Sequence, residues 1–316
     1  MICIKDILTW YCLRQFCRFS GRSRDYLVEM NVLEKFSPYY IGLRQKLYRP
    51  GKHPDDQYGW IMTPELLRAQ TLQVQQAVEL LVDGAPFEEV TVGFDGRICG
   101  ERILEYPYFV DWYMRNGCGP RLLDIGCVLN NQAVAPFIKD HIEILWFCNP
   151  AVEALVAEIP TYYHVSKLDS AFPGGEQFER ITCLSTIEHI GYDNSQYGAV
   201  ECAIYQSATN QPLIESVEKI FSLLVKGGAA LLSVPFGLRA VNVHRVTKKK
   251  AFQSFDWNSA EAVQKCVVDL GGHCQFGVYA GNRNGWGRLE NPEAFHEPYG
   301  HGFPGAPAVL MIELYK

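Results

Sequence analysis

The chain has 316 residues, 48% hydrophobic and 20% charged, which suits one large α/β domain with an extension and excludes a disordered polymer. A formal charge of −6 argues against a general nucleic-acid binder, which needs a basic face. The eleven cysteines contain no Cys-x-x-Cys pair, so neither a zinc ribbon nor a dithiol redox site is suggested, and reduced, buried thiols in a cytoplasmic setting are expected.

In chain order, residues 1–19 are aromatic and apolar, but Lys5, Arg14 and Arg18 interrupt them. The run therefore falls short of the roughly 18 apolar residues a spanning helix needs, and no small-residue cleavage site follows it. An amphipathic helix is expected, open to packing on its own domain, to a partner chain, or to peripheral contact with the inner face of a membrane. A turn-rich loop follows at residues 48–54. A helix is predicted over 63–81, with Thr63 as N-cap and Pro64 in first position. Residues 90–98 read as a short hairpin around Asp95-Gly96, and 101–113 as a helix leading onward. These features divide the chain into a mainly helical accessory region, 1–100, and a main domain, 101–316.

From Arg121 short apolar runs alternate with helical patterns. Strands are predicted at 121–125, 142–148, 162–166, 180–185 and 229–234, and helices at 131–139, 151–157, 211–224 and 259–270. Two closing strands, 273–280 and 308–315, follow. Continuous apolar runs suit strands buried on both faces, so a largely parallel sheet with helices on both sides is expected.

Ligands of such sheets bind beyond the C-terminal strand ends. The first strand ends in Leu123-Asp124-Ile125-Gly126-Cys127, where Gly126 permits a sharp turn and Asp124 offers a carboxylate. The next helix is expected to be capped by Asn130 or Asn131. Lys167-Leu168-Asp169 follows the third strand. The fourth runs Phe178-Glu179-Arg180-Ile181-Thr182-Cys183-Leu184 into Ser185-Thr186-Ile187-Glu188-His189. Leu223-Leu224-Val225-Lys226-Gly227-Gly228 reads as a helix closed by a left-handed glycine.

In order and spacing these segments resemble class I S-adenosylmethionine-dependent methyltransferases. Gly100-Glu101-Arg102-Ile103-Leu104-Glu105-Tyr106-Pro107 also resembles a segment found in methyltransferases of bacterial polysaccharide and lipopolysaccharide gene clusters. The likeness runs over residues 101–316. It implies a Rossmann-like seven-stranded sheet, parallel with an antiparallel C-terminal strand. It also implies S-adenosylmethionine as cofactor, with Asp124, Gly126 and Cys127 at its methionine end and Asn149 at the ribose. Leu168 and Asp169 would meet the adenine, Ser185 and Thr186 the methionine amino group, and Glu188 and His189 the acceptor. The chain departs from the pattern in two places: motif I is glycine-poor at Cys127-Val128-Leu129, and Asn149 stands where an acid is usual.

His189 is the candidate general base, because its ordinary pKa lies near neutrality, and Glu188 is expected to orient it, to bind an acceptor hydroxyl, or to face solvent. A divalent metal on Glu188, His189 and Asp193 is an alternative that matches no recognised spacing and is not favoured. Two long insertions, 236–256 and 281–307, carry His244, Arg245, Trp286 and His301, which suit stacking on sugar rings and bonding to hydroxyls or phosphates. The expected function is O-methylation of a sugar or glycan hydroxyl. The alternatives are O- or N-methylation of a small natural product, and a degenerate, non-catalytic binding protein. A dinucleotide-dependent oxidoreductase is disfavoured, since Gly-x-Gly-x-x-Gly is missing.

Overall fold

The computed structural model describes residues 64–91, 100–117, 119–151, 153–156, 161–192, 207–243, 250–282, 284–300 and 305–316. The chain divides into two compact units, Met1–Pro50 with Met62–Ala69, and Gly51–Ile61 with Gln70–Lys316. The second carries everything that follows except residues 64–69 at the start of the first helix. The expected N-terminal amphipathic helix and the loop at 48–54 lie outside the described residues. Among the described residues no helix is long and apolar enough to cross a membrane.

Helix α1 (Pro64–Val82) matches the predicted helix, with Val74, Ala77, Val78 and Leu81 buried at helical spacing. The predicted hairpin begins wrongly. Val90 closes one turn of helix, α2 (Phe87–Val90), and residues 92–99 lie outside the description. Phe87 packs edge-to-face on Tyr108 and Tyr279, and the Thr91 carbonyl accepts from the Trp286 amide at 2.9 Å.

Helix α3 (Arg102–Arg115) enters the sheet layer, with ten of its fourteen residues buried. Then come β1 (Arg121–Ile125), α4 (Ala135–His141), β2 (Ile144–Asn149), β3 (Thr161–Val165), β4 (Phe178–Leu184), α5 (Gln211–Leu223) and β5 (Leu224–Phe236). A hairpin, β6 (Ala240–Val243) with β7 (Lys250–Ser254), occupies the first insertion. Helix α6 (Trp257–Asp269), β8 (His273–Asn282), β9 (Gly285–Arg288) and β10 (Ala308–Tyr315) complete the chain.

The sheet order is β3-β2-β1-β4-β5-β10-β8-β9. Strands β1 to β5 pair in parallel, and β10 runs antiparallel between β5 and β8. This is the expected methyltransferase sheet, extended by β9, a short antiparallel edge strand. The period-two alternation of side chains sorts the two faces. Leu123, Ile181, Leu232 and Ile312 meet α5 and α6 in one hydrophobic cluster. On the opposite face α3 lies over the sheet, tied by Glu105 to Ser233 and by Tyr108 Oη donating to Glu313 at 2.7 Å.

Four expectations are corrected. The chain at 151–157 is not helical among its described residues. Asn130 donates to the Ala154 carbonyl (2.8 Å) and accepts from the Val156 amide (2.7 Å), which straps this stretch as extended chain. Helix α4 begins four residues later than predicted, because Asn131 accepts from the Ala133 amide and spends its side chain on a turn. Asn130 is likewise no cap. The Gly227-Gly228 pair does not end a helix: α5 stops at Leu223 and the pair sits within β5. There Gly227 (φ +79°) donates to the Lys316 carbonyl where the register with β4 shifts. Finally, α6 starts at Trp257, two residues early, since Asp256 and Ser259 form a reciprocal capping box.

Candidate active site

The site is built on the C-terminal ends of β1, β2 and β4. At the end of β1, Gly126 has φ +93° and donates its amide to the Cys148 carbonyl, and Cys127 follows at φ +59°. A Cβ on Gly126 would lie 2.6 Å from Cγ2 of Thr186 and 2.9 Å from its Cβ. Glycine is thus required both by the backbone and by the turn after β4. Asp124 is fully buried. Its carboxylate accepts from the Leu129 amide (2.8 Å) and the Thr182 hydroxyl (2.9 Å). Burial raises its pKa to about 7 against both bonds. The carboxylate therefore shapes the loop and presents no oxygen outward, which corrects the expectation that it grips a ligand directly.

After β2 the chain supplies an acid that motif spacing did not reveal. Asn149 Nδ2 donates to the Glu153 carboxylate and the Ala151 carbonyl, both at 3.0 Å, while Tyr163 Oη donates to Ala151 (2.6 Å). Asn149 is thus an anchor that holds Glu153 over the end of β2. Burial raises the Glu153 pKa, and the bond from Asn149 opposes the rise. The strap from Asn130 explains its position; the signal in sequence was the paired Asn130 and Asn149. Leu168 is buried in the hydrophobic cluster, and Asp169 is exposed in a turn, accepting from the Ser170 amide.

The turn after β4 is held from three directions. Ser185 (φ +39°) donates its hydroxyl to Glu105, and its amide donates to the Ser233 hydroxyl at 2.9 Å. Glu105 also accepts from Ser233 and pairs with Arg102. Tyr106 Oη donates to the Val128 carbonyl (3.0 Å), so one face of α3 fastens both loops. Sequence reading missed these roles, although charges at 101, 102 and 105 inside an apolar and aromatic run mark charge taken indoors. Thr186 donates to the Leu184 carbonyl at 2.8 Å.

Glu188 and His189 lie in the 3-10 turn Ile187–His189. The Glu188 residue is 3% exposed and its Oε2 has no hydrogen-bond partner. Burial, then the nearby Glu105 carboxylate, raises its pKa well above the ordinary value. His189 Nδ1 lies 3.0 Å from the Ala251 carbonyl, which makes Nδ1 the protonated nitrogen and Nε2 an acceptor. Burial lowers its pKa to about 4. It is therefore neutral at pH 7 and a weaker base than its ordinary pKa suggested.

The first insertion reaches this turn through β7, with Phe252 against His189 (5.6 Å between ring centres). The second arrives through Tyr299, edge-on to Phe252 at 4.6 Å. Trp286, expected to stack on a sugar, lies in β9 with 1% exposure, so its ring is enclosed by protein. His244, Arg245, His301 and Asp193 lie outside the described residues. No group of three His, Cys, Asp or Glu side chains among the described residues is placed to hold a metal ion.

No protein-family model and no curated protein sequence matches the chain. Solved structures do. One is the N-methyltransferase NodS of Bradyrhizobium japonicum with S-adenosyl-L-homocysteine, at 10% identity over 77% of this chain and 97% of that one, TM-score 0.39. Another is the 1,6-didemethyltoxoflavin-N1-methyltransferase of Burkholderia thailandensis, at 11% identity over 84% and 94%, TM-score 0.41. A third is a S-adenosylmethionine-dependent methyltransferase of Methanosarcina mazei, at 10% over 63% and 93%, TM-score 0.40. At this overlap they add nothing to what the strand order already defines.

Proposed function

We propose that the protein is a S-adenosylmethionine-dependent methyltransferase. The observation that carries this reading is the interlock of Gly126 with Thr186 at the ends of β1 and β4, in a sheet whose one internal antiparallel strand is β10. The cofactor supplies a methyl group on a cationic sulfonium. Glu153 takes the ribose-binding role that Asn149 cannot fill, because an amide accepts only through its one oxygen, whereas a carboxylate accepts two hydroxyls. Backbone groups of the Gly126–Cys127 turn face the methionine end, and Asp169 the adenine amine. His189 Nε2 accepts a hydrogen bond from the acceptor and orients it.

The acceptor lies under the two insertions. The glycan hydroxyl expected there loses its stacking group, because the Trp286 ring is enclosed by protein. Calorimetric titration with S-adenosylhomocysteine tests the cofactor assignment: micromolar binding is expected, and a folded sample that binds nothing at millimolar ligand overturns it. Glu153→Ala weakens that binding about 10- to 100-fold if two charge-assisted bonds are lost. Asn149→Asp weakens it too, since the new carboxylate faces Glu153. Tighter binding by Asn149→Asp would refute the role given to Glu153.

A further inference from the structure

Glu188 stands apart from the groups assigned to the cofactor. Those lie at the ends of β1, β2 and β3. Glu188 lies in the turn after β4, one residue from the His189 that β7 of the first insertion grips. The second insertion reaches the same quarter: a Cβ on Gly305 would run into the Glu101 carboxylate, which also bonds the Ala306 backbone. The titratable groups acting on Glu188 are Glu101 just before α3, Arg102 and Glu105 of α3, and the buried Cys183 thiol on β4. Arg102 is already paired with Glu105. Three carboxylates thus share one guanidinium, and one oxygen of the buried Glu188 has no partner. A buried carboxylate oxygen left unbonded costs the full desolvation of that atom unless a ligand satisfies it. A neutral sugar hydroxyl would supply one hydrogen bond and leave the excess charge. A protonated amine supplies both the bond and the charge.

We propose that the methyl acceptor is a primary or secondary amine whose nitrogen docks on Glu188 Oε2 between the two insertions. This rests on the methyltransferase reading and names its substrate class. The ammonium N–H bond breaks and its proton passes to the Glu188 carboxylate, forming an O–H bond. The nitrogen keeps the electron pair and becomes the nucleophile. Glu188 is both the recognition group and the proton acceptor, and His189 Nε2 orients a remaining N–H.

Two probes test this by calorimetry. S-adenosylhomocysteine is neutral at sulfur, whereas sinefungin carries an ammonium where the methylsulfonium would stand. Wild type should bind sinefungin at least tenfold more tightly, with the ratio shrinking as pH falls, since burial raises the Glu188 pKa and favours its protonated form. In Glu188→Gln, with an unchanged melting temperature as the check on folding, the ratio should fall to within threefold of one, while S-adenosylhomocysteine affinity holds within threefold. Proton release, measured at pH 7 in two buffers of different ionisation enthalpy, should be larger for sinefungin in wild type, and it needs no variant. Equal affinities in wild type, a preference that survives Glu188→Gln, or equal proton release overturns the amine assignment and leaves the cofactor reading intact. Failure of both probes to bind overturns the two together.

Discussion

Replacing Gly126 by alanine tests the interlock at the centre of the site. The added Cβ meets two conflicts. At φ +93° an L-residue is strained by about 1–2 kcal/mol. The Cβ also lies 2.6 Å from Cγ2 of Thr186 and closer still to its hydroxyl, so that side chain must turn away and give up its bond to Leu184. Lost bonding costs about 1 kcal/mol and overpacking about 1–3 kcal/mol. Gly126→Ala should therefore destabilise by about 3–6 kcal/mol. Thr186→Ala alone should cost about 1 kcal/mol, the bond to Leu184. The double variant keeps the backbone strain and relieves most of the clash. Its cost should fall at least about 1.5 kcal/mol below the sum of the singles, well outside the usual scatter of additivity. Urea unfolding followed by tryptophan fluorescence reads all four corners of the cycle. Costs that add to within about 0.5 kcal/mol would refute the interlock.

Two further outcomes follow from the buried charges. His189, moved by burial from 6.5 to about 4, favours the neutral imidazole, so its contribution is complete above pH 6.5 and about 3 kcal/mol is lost as pH falls toward 4. Asp124 works in the opposite sense, since its raised pKa makes stability fall as pH rises from about 4 to 7. Wild type alone therefore shows a flattened profile. The difference between wild type and His189→Asn, whose amide keeps the bond to Ala251, should change by about 3 kcal/mol across pH 4–6.5 in urea titrations; a flat difference contradicts the buried imidazole. Glu105→Ala leaves Arg102 without its partner and frees the Ser185 and Ser233 hydroxyls, so a loss of about 3–5 kcal/mol is expected by the same assay. A loss under about 1 kcal/mol would show that α3 does not fasten these loops.

The sheet was legible because each strand is a short apolar run with its own boundaries. β1 and β10 fall on the predicted residues, and α5 ends within one residue of its prediction. What failed depends on partners distant in sequence. Residues 151–157 carry a helical pattern, yet Asn130 spends both ends of its amide on Ala154 and Val156, residues 153–156 are not helical, and no local propensity records that bond. Gly227-Gly228 reads as a helix end because glycine pairs commonly are. Here Gly228 approaches the Glu179 carbonyl and Lys316 closes on the pair from the far end of the chain. In the site, the positions of Gly126, Ser185 and His189 were readable from motif order. The inward turn of Asp124 and the work of Arg102, Glu105 and Glu153 were not, since each rests on contacts between elements.

Strain and unfavourable charge collect in one part of this molecule. Of the three non-glycine residues with positive φ among the described residues, two, Cys127 and Ser185, lie at the ends of β1 and β4; the third, Phe172, stacks on His164. The same strand ends hold Asp124 and Glu188, whose burial disfavours their charged forms. Strained backbone of this kind costs on the order of 1–3 kcal/mol per residue and persists only where surrounding contacts over-determine it. Those contacts are present: Tyr106 on Val128, Glu105 on Ser185 and Ser233, and Asn149 on Glu153. A scaffold selected for stability alone would relieve both penalties with ordinary residues. Their collection on a single edge of the sheet fits the ligand site proposed there, and α3 with the Asn130–Asn149 strap holds that edge in shape.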